Sequence, residues 1–310
     1  METSVIIPTY KRTNDLKRCL EGLSRQFQVP DEVIVVVRDI DDKTRNFLEE
    51  YQSTIHITTA IVNKPGQVAA LNTGLQKSSG EFICILDDDT VPHIHWLQKI
   101  LDIFKSSEQI GGVGGRDWVI QGNHKDERKK DIVGKVQWFG RVIGNHHLGY
   151  GEARDVDVLK GANMSYRRKA IEGILFDERL LGQGAQVHND MAFSLSVRKR
   201  GWRLVYDPDV GVDHYPAPRF DLDQRGAFNK EAYLQGIFNE TLILSEYMSN
   251  PFQKKFYIIW SILIGTSDKP GILQLIRFLN KNPKPIFQKF SVNIHTRLRF
   301  QKKLKTLVRS

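Results

Sequence analysis

Short β-branched runs alternate with stretches of helical periodicity through the first hundred residues, and that alternation admits little besides a parallel sheet flanked by helices. Ser4-Val5-Ile6-Ile7 reads as a buried strand closing at Pro8. Asn14 stands where a side chain can cap a helix whose apolar residues Leu16, Cys19, Leu20 and Leu23 share one face. Glu32 to Val37 is a second strand, Asp42 to Tyr51 a helix, Thr54 to Val62 a third strand and Val68 to Lys77 a helix. Glu81-Phe82-Ile83-Cys84-Ile85-Leu86 then runs as a strand directly into Asp87-Asp88-Asp89, with a helix from Pro92 to Lys105. Periodicity fades from Gly111 to Asp155, which predicts long loops around short strands. It returns with a strand at Val156 to Tyr166, a helix from His188 to Lys199, strands at Trp202 to Tyr206 and Val210 to Asp213, and a helical region from Asp221 to Met248.

The chain has 310 residues, 40% of them apolar, enough to bury a full core and to exclude disorder. Its net charge of +9 is uneven. Residues 251–310 hold 13 Lys and Arg against one acid, Asp268, a balance of +12 that leaves −3 for the first 250. A mildly acidic body with a basic tail argues against a nucleic-acid footprint along the chain and for a surface-docking appendage. Two cysteines, Cys19 and Cys84, both in apolar runs, make neither a disulfide framework nor a four-thiolate zinc site and suit the core of a protein in a reducing compartment. No basic leader precedes Pro8, so a cytoplasmic location is expected. The most apolar stretch, Phe256 to Ile264, is far short of the ~20 residues that cross a bilayer. With Gly271 to Leu279 and the flanking cations, it is expected either to lie in a membrane interface or to pack on the body.

Three adjacent carboxylates at the carboxyl end of an apolar strand repel one another unless a cation or hydrogen-bond donors compensate them. Open α/β sheets bind ligands at that edge. A hard cation such as Mn²⁺ or Mg²⁺, shared with the phosphates of a nucleotide, meets both conditions; a solvated acidic turn that caps the next helix is the alternative. Gly111-Gly112-Val113-Gly114-Gly115 does not fit a dinucleotide fingerprint, and no phosphate-binding P-loop is present. His93, His95, His146 and His147 lack partners at zinc spacing and read as structural or solvated. Trp118, Trp138 and Phe139 offer aromatic faces that suit a sugar acceptor or ordinary packing.

The order of these motifs resembles family 2 glycosyltransferases. The resemblance is carried by Ser4-Val5-Ile6-Ile7-Pro8-Thr9-Tyr10 with Arg12, Asn63-Lys64-Pro65-Gly66-Gln67, Ala70-Leu71-Asn72 with Gly74, Gly80-Glu81 and Leu86-Asp87-Asp88-Asp89. It continues through Lys160-Gly161-Ala162-Asn163-Met164 with Arg167-Arg168, Phe176-Asp177-Glu178, Asn189-Asp190 and Val205-Tyr206-Asp207-Pro208, ending near His214. It implies a fold of GT-A type, α/β with a mostly parallel open sheet and flanking helices, extended here by a basic helical C-terminal segment. Residues 1–110 would form the nucleotide-sugar-binding half, 111–220 the acceptor and catalytic half, and 221–310 the extension.

By the same resemblance, Pro8, Thr9, Tyr10 and Arg12 line the nucleoside pocket and Asp39 faces base or ribose. Lys64 and Gln67 lie near the uracil or the phosphates, and Asp87 and Asp88 face ribose and diphosphate. Asp89 is the leading ligand for Mn²⁺ or Mg²⁺, with His214 as a second. Asp190 takes the place of the catalytic base; the family usually has Glu-Asp where this chain has Asn189-Asp190. At the start of a helix the dipole favours a carboxylate able to accept a hydroxyl proton. The family's processive polymerases carry Gln-x-x-Arg-Trp and several membrane spans, and this chain has neither. The expectation is therefore transfer of single sugars, with inversion, from a nucleoside-diphosphate sugar, UDP-sugars first, to a polysaccharide, glycolipid or lipid-linked acceptor at an anionic membrane surface. Two other readings compete. A nucleotidyltransferase would also use a strand-end carboxylate pair, and a non-enzymatic membrane or nucleic-acid adaptor would use the tail and leave Asp87 to Asp89 and Asp190 without a task.

Overall fold

Apolar residues on both faces of the opening strand require a sheet covered on both sides, and the chain builds one. The computed structural model describes residues 1–122, 124–223, 228–280 and 283–307. In chain order its first elements are β1 (Thr3–Thr9), α1 (Thr13–Ser24), β2 (Glu32–Arg38), α2 (Asp42–Glu50), β3 (Ile57–Val62), α3 (Gln67–Lys77), β4 (Phe82–Leu86), β5 (Thr90–Pro92) and α4 (Trp96–Ser106). There follow β6 (Ile110–Gln121), the short β7 (His124–Lys125), β8 (Lys135–Val136), β9 (Val142–Ile143) and β10 (Arg154–Val156), then β11 (Asn163–Arg167), α5 (Arg168–Ile171), α6 (Asn189–Lys199) and β12 (Arg203–His214). Four helices close the chain: α7 (Lys230–Tyr247), α8 (Pro251–Leu263), α9 (Ile272–Phe278) and α10 (Pro283–Leu307).

The main sheet has the order β10-β12-β6-β11-β4-β1-β2-β3, in which β10 and β11 run against the rest, and the short β5 and β7 pair antiparallel with β12 and β6. Alternation along β1 feeds two cores. Val5 and Ile7 meet Leu16, Leu20, Trp96, Leu97 and Phe104 on one face, while Ile6 meets Leu71, Ile83, Met164 and Phe193 on the other. The strand order reverses at β1, which has β2 on one side and β4 on the other. Ligands of open α/β sheets bind outside the carboxyl ends of the strands at such a switch point, and Thr9 and Asp87 emerge there.

Several boundaries depart from the periodicity reading. Gly111 to Gln121, where periodicity fades, belongs to a twelve-residue strand. Its glycines are there because neighbours press in: a Cβ on Gly111 would lie 2.6 Å from the Trp202 Cβ, and one on Gly115 1.7 Å from the Val210 carbonyl oxygen. The stretch Val156 to Tyr166 divides, since β10 ends at Val156 and β11 begins at Asn163. The two strands at 202–213 are one, irregular between Asp207 and Val212. Pro92 ends β5, which pairs with β12, so α4 begins at Trp96. The third strand starts at Ile57. Helix α1 begins past Arg12, which makes no side-chain cap, and Asn14 lies inside the first turn. The helical region expected from Asp221 begins at Lys230, capped by the Asn229 side chain; residues 224–227 lie outside the described residues. Cys19 and Cys84 are buried and free, as expected.

The chain divides into two compact units. The sheet unit comprises Met1–Val136, Val142–Glu178 and Asn189–Ala217; the helical unit comprises Gln137–Arg141, Arg179–His188 and Pro218–Ser310. In the helical unit Ile237, Leu244, Tyr257, Ile286 and Val292 are buried. A charged group runs through that core. Arg297 donates to Glu240 Oε1 at 2.7 Å, to Asn293 Oδ1 at 2.7 Å and to the hydroxyls of Thr241 and Tyr257, while Lys269 pairs with the other Glu240 oxygen. The apolar run at 256–264 belongs to α8, where Pro251 sits in the first turn and the Asn250 side chain accepts the Phe252 N–H at 2.9 Å. No helix among the described residues is long and apolar enough to cross a membrane.

Candidate active site

The acids after β4 are buried rather than solvated. Asp88 and Asp89 are each 2% exposed. The Thr9 hydroxyl donates to Asp88 Oδ2 at 2.8 Å and Arg12 Nη1 to Asp88 Oδ1 at 2.9 Å, so the end of β1 and the start of α1 hold this carboxylate from two sides. Burial and the adjacent Asp89 nonetheless push Asp88 up to about 7, and likewise raise Asp87 to about 6. Asp89 goes the other way. Burial would raise it, but His214, the Ala217 N–H at 2.9 Å and Arg12 outweigh that and bring it down to about 2.

His214, the last residue of β12, lies between two carboxylates. Its Nδ1 is 3.3 Å from Asp117 Oδ2, and its Nε2 faces Asp89 Oδ1 at 3.4 Å without forming a hydrogen bond. Burial opposes a charge on the imidazole, yet Asp117 and Asp89 raise it to about 9. Asp117, on β6, is 1% exposed and paired with Lys160. Burial alone would raise its carboxyl, but Lys160 and His214 hold it below the usual range.

A row of side chains ties this cluster to α6. Gln67, the first residue of α3, donates its amide to Asp87 Oδ1 at 3.3 Å, and its carbonyl accepts the Asn189 amide at 3.3 Å. The departure from Glu-Asp therefore introduces a donor at 189 that lets Gln67 turn its own amide to Asp87. Asp190 follows in the first turn of α6, where its Oδ2 accepts the Gly161 N–H at 3.1 Å and its Oδ1 the Met191 N–H at 2.8 Å.

Other expected residues lie apart from this row. Asp39 follows β2 and pairs with its neighbour Arg38 at 3.3 Å, and Lys64 forms an exposed ion pair with Glu178. Pro8 and Tyr10 are half-buried at the end of β1, with the Lys11 ammonium 5.1 Å from the Tyr10 ring centroid. Lys11 has a φ of 56°, and its N–H is held by Asp41, the buried residue that also caps α2. Several motif residues serve the scaffold. Asn72 exchanges two hydrogen bonds with the Phe176 backbone, Asn163 joins Trp96 to the Val210 carbonyl, and Arg168 donates to the Gly80 carbonyl. His93 meets Asp213, and His146 meets the Val158 carbonyl. Trp118 has Arg116 at 3.4 Å and Lys125 at 4.2 Å from its ring centroid, so cations already occupy the face expected to meet sugar. Sequence reasoning missed Asp117, whose glycine-rich surroundings suggest a loop, and gave no task to Lys160, although it opens a quoted motif.

A divalent cation fits this donor set. The buried His214 Nε2 has no hydrogen-bond partner and confronts a carboxylate oxygen of Asp89. Its other nitrogen rests on Asp117, the orientation that carboxylates commonly impose on ligating histidines. Among the described residues no group of three metal-ligating side chains is placed to hold an ion, so the protein alone would offer it Asp89 and His214.

Comparison with known proteins gives a consistent answer. The family described as "Glycosyl transferase family 2" matches residues 4–175. The glycosyltransferase AglE of Haloferax volcanii is 31% identical over 273 residues, 86% of this chain and 82% of its own length. A Methanococcus voltae dolichyl N-acetyl-alpha-D-glucosaminyl phosphate 3-beta-D-2,3-diacetamido-2,3-dideoxy-beta-D-glucuronosyltransferase is 24% identical, covering 92% of this chain and 89% of its own. Among solved structures, residues 1–349 of S. aureus TarS with UDP-GlcNAc superpose with a TM-score of 0.59 at 14% identity, covering 98% of this chain and 92% of that one. The mannosyltransferase PcManGT of Pyrobaculum calidifontis, in complex with GDP-Man and Mn²⁺, gives 0.54 at 14% identity, covering 96% and 86%.

Proposed function

Because the chain belongs to glycosyltransferase family 2, has the GT-A fold and transfers sugar from a nucleotide-sugar donor, we propose that it moves one sugar per encounter, with inversion, onto an acceptor hydroxyl. The observation that supports this reading is the row Asp87–Gln67–Asn189, which joins the acids after β4 to the helix turn bearing Asp190. Thr9 and Arg12 shape the wall of the nucleoside pocket through Asp88, with Pro8, Tyr10 and Asp39 beside them and Lys64 toward the diphosphate. Asp87 and Asp88 orient the ribose and diphosphate. Asp89 and His214 hold the divalent cation, Mn²⁺ or Mg²⁺, with Asp117 orienting His214. When bound, that ion offsets the charge developing on the departing diphosphate.

Asp190 accepts the proton of the attacking hydroxyl. Its Oδ2 is oriented by the Gly161 N–H, which leaves that oxygen a second lone pair for the proton. A single displacement from the opposite face inverts the anomeric centre. The donor we assign is a UDP-sugar, the class bound in the TarS structure. Names of two relatives place dolichyl phosphates among their substrates, and a lipid-linked glycan at the cytoplasmic face of a membrane is the acceptor class we assign here.

Asp190→Asn tests the base. It should keep donor binding and lose about 10²-fold or more in turnover, the usual scale for a missing general base. Turnover equal to the parent's removes Asp190 from the reaction, and a product that retains the donor's anomeric configuration overturns the single displacement.

A further inference from the structure

The helical unit carries an apolar face that its own core does not use. On α8 the buried side is taken by Tyr257 and Ser261, while Phe252, Phe256, Ile259 and Leu263 recur three or four residues apart on another side. Phe252 is 69% exposed, and Ile259 and Leu263 are exposed with it. A bridge between Gly265 and Pro270 closes the turn into α9, which buries none of its seven residues. There Ile272, Leu273 and Ile276 are exposed, the last at 68%, and Leu279 continues the patch. Trp138, from the 137–141 segment of the same unit, is 57% exposed, and its ring centroid lies 4.7 Å from that of Phe256. Single exposed apolar residues are ordinary; this many on two consecutive helices mark an interaction surface.

Charge selects the partner. Lys255 on α8, Arg277 on α9 and Lys284 at the start of α10 are exposed. The only acid from residue 251 onward, Asp268, is paired with Lys289 at 2.8 Å. An apolar, aromatic-bearing face on helices that also expose cations suits the boundary between acyl chains and anionic headgroups, where tryptophan also prefers to sit. We propose that the face made by α8, α9 and Trp138 docks the protein on an anionic lipid bilayer. The proposal deepens the assignment of a lipid-linked acceptor, but docking itself requires neither donor nor metal.

The test is cosedimentation of the full chain with phosphatidylcholine vesicles, with and without phosphatidylglycerol. The parent should bind the mixed vesicles and release only partly at high salt, since screening weakens the ionic part and spares apolar insertion. Lys255→Glu, Arg277→Glu and Lys284→Glu together should weaken partitioning on the order of 100-fold or more. Phe252→Ser with Ile276→Ser should weaken it on the order of 10-fold or more while leaving the melting temperature unchanged, both side chains being exposed. Binding by both variants equal to the parent's overturns the proposal, as does a parent that binds neither vesicle. So does a parent dimer that ignores vesicles and becomes monomeric in the serine variant, which would give the face to a second copy of the chain. Vesicle binding by a parent that transfers no sugar supports the surface and counts only against the transferase reading.

Discussion

Each unit buries a cluster of charges, and the two clusters are built on opposite plans. In the helical unit one carboxylate, Glu240, meets two cations, Arg297 and Lys269, and Arg297 spends its remaining donors on Asn293, Thr241 and Tyr257. Burial would raise Glu240, but the two cations hold it below the usual carboxylate range. In the sheet unit Asp87, Asp88, Asp89 and Asp117 meet Arg12, Lys160 and His214, and Asp87 and Asp88 are left above their ordinary range. A closed cluster joins helices. The sheet-unit cluster holds four carboxylates against three cationic partners at the switch point of the sheet, where the cation and nucleotide proposed above would add to it.

The largest effect should come from opening the closed cluster. Arg297→Met leaves Glu240 buried with one cation and should cost about 3–5 kcal/mol, the scale for breaking a buried ion pair, read as a lowered denaturant midpoint. Asp89→Asn in the other cluster should lower the midpoint less, because the lost attraction to His214 and Arg12 is partly offset by relief of repulsion from Asp87 and Asp88. Equal losses in both variants would erase the distinction between the two plans.

Asp117→Asn sharpens the comparison at one remove. It keeps the size of the side chain but weakens the grip on His214, and should reduce Mn²⁺ affinity about 10- to 100-fold, the range for outer-shell partners, in a titration followed by Mn²⁺ electron paramagnetic resonance. Affinity equal to the parent's would show that His214 needs no such support.

A smaller effect is expected from pH. Because the folded-state Glu240 lies below its unfolded value, its contribution is present above about pH 4.3 and is lost as pH falls further, through the folded value. The protection of α7 and α10 amides against hydrogen exchange, taken relative to the intrinsic rate at each pH, should therefore fall below about pH 4. In Glu240→Gln that fall should be absent; its persistence would assign the acid sensitivity to another group.

Legibility from sequence followed how local the physical cause was. The strand–acid junction at Leu86-Asp87 was readable because burial on both faces and crowded charge are written into adjacent residues. The first turn of α6, with Asp190 in it, and the motif order were readable for the same reason. Strand β6 was not, since its glycines make sense only beside Trp202 and Val210, some 90 residues away in sequence. Asp117 was hidden with it. The apolar run at 256–264 was visible, but which of its sides faces solvent depends on Tyr257 and Ser261 packing within the helical unit.

The central claim is that the acids after β4 are completed by a cation and a nucleotide. It is tested most directly by the thermal stability of the parent and Asp89→Asn, each with UDP alone, Mn²⁺ alone and the two together. A ligand bound only by the folded state at 100 times its Kd adds about 2.7 kcal/mol. The account predicts a stabilisation of the parent that requires Mn²⁺ and UDP together and that Asp89→Asn largely loses. The same joint stabilisation in Asp89→Asn, or a parent stabilised by UDP to the same extent without Mn²⁺, would contradict it.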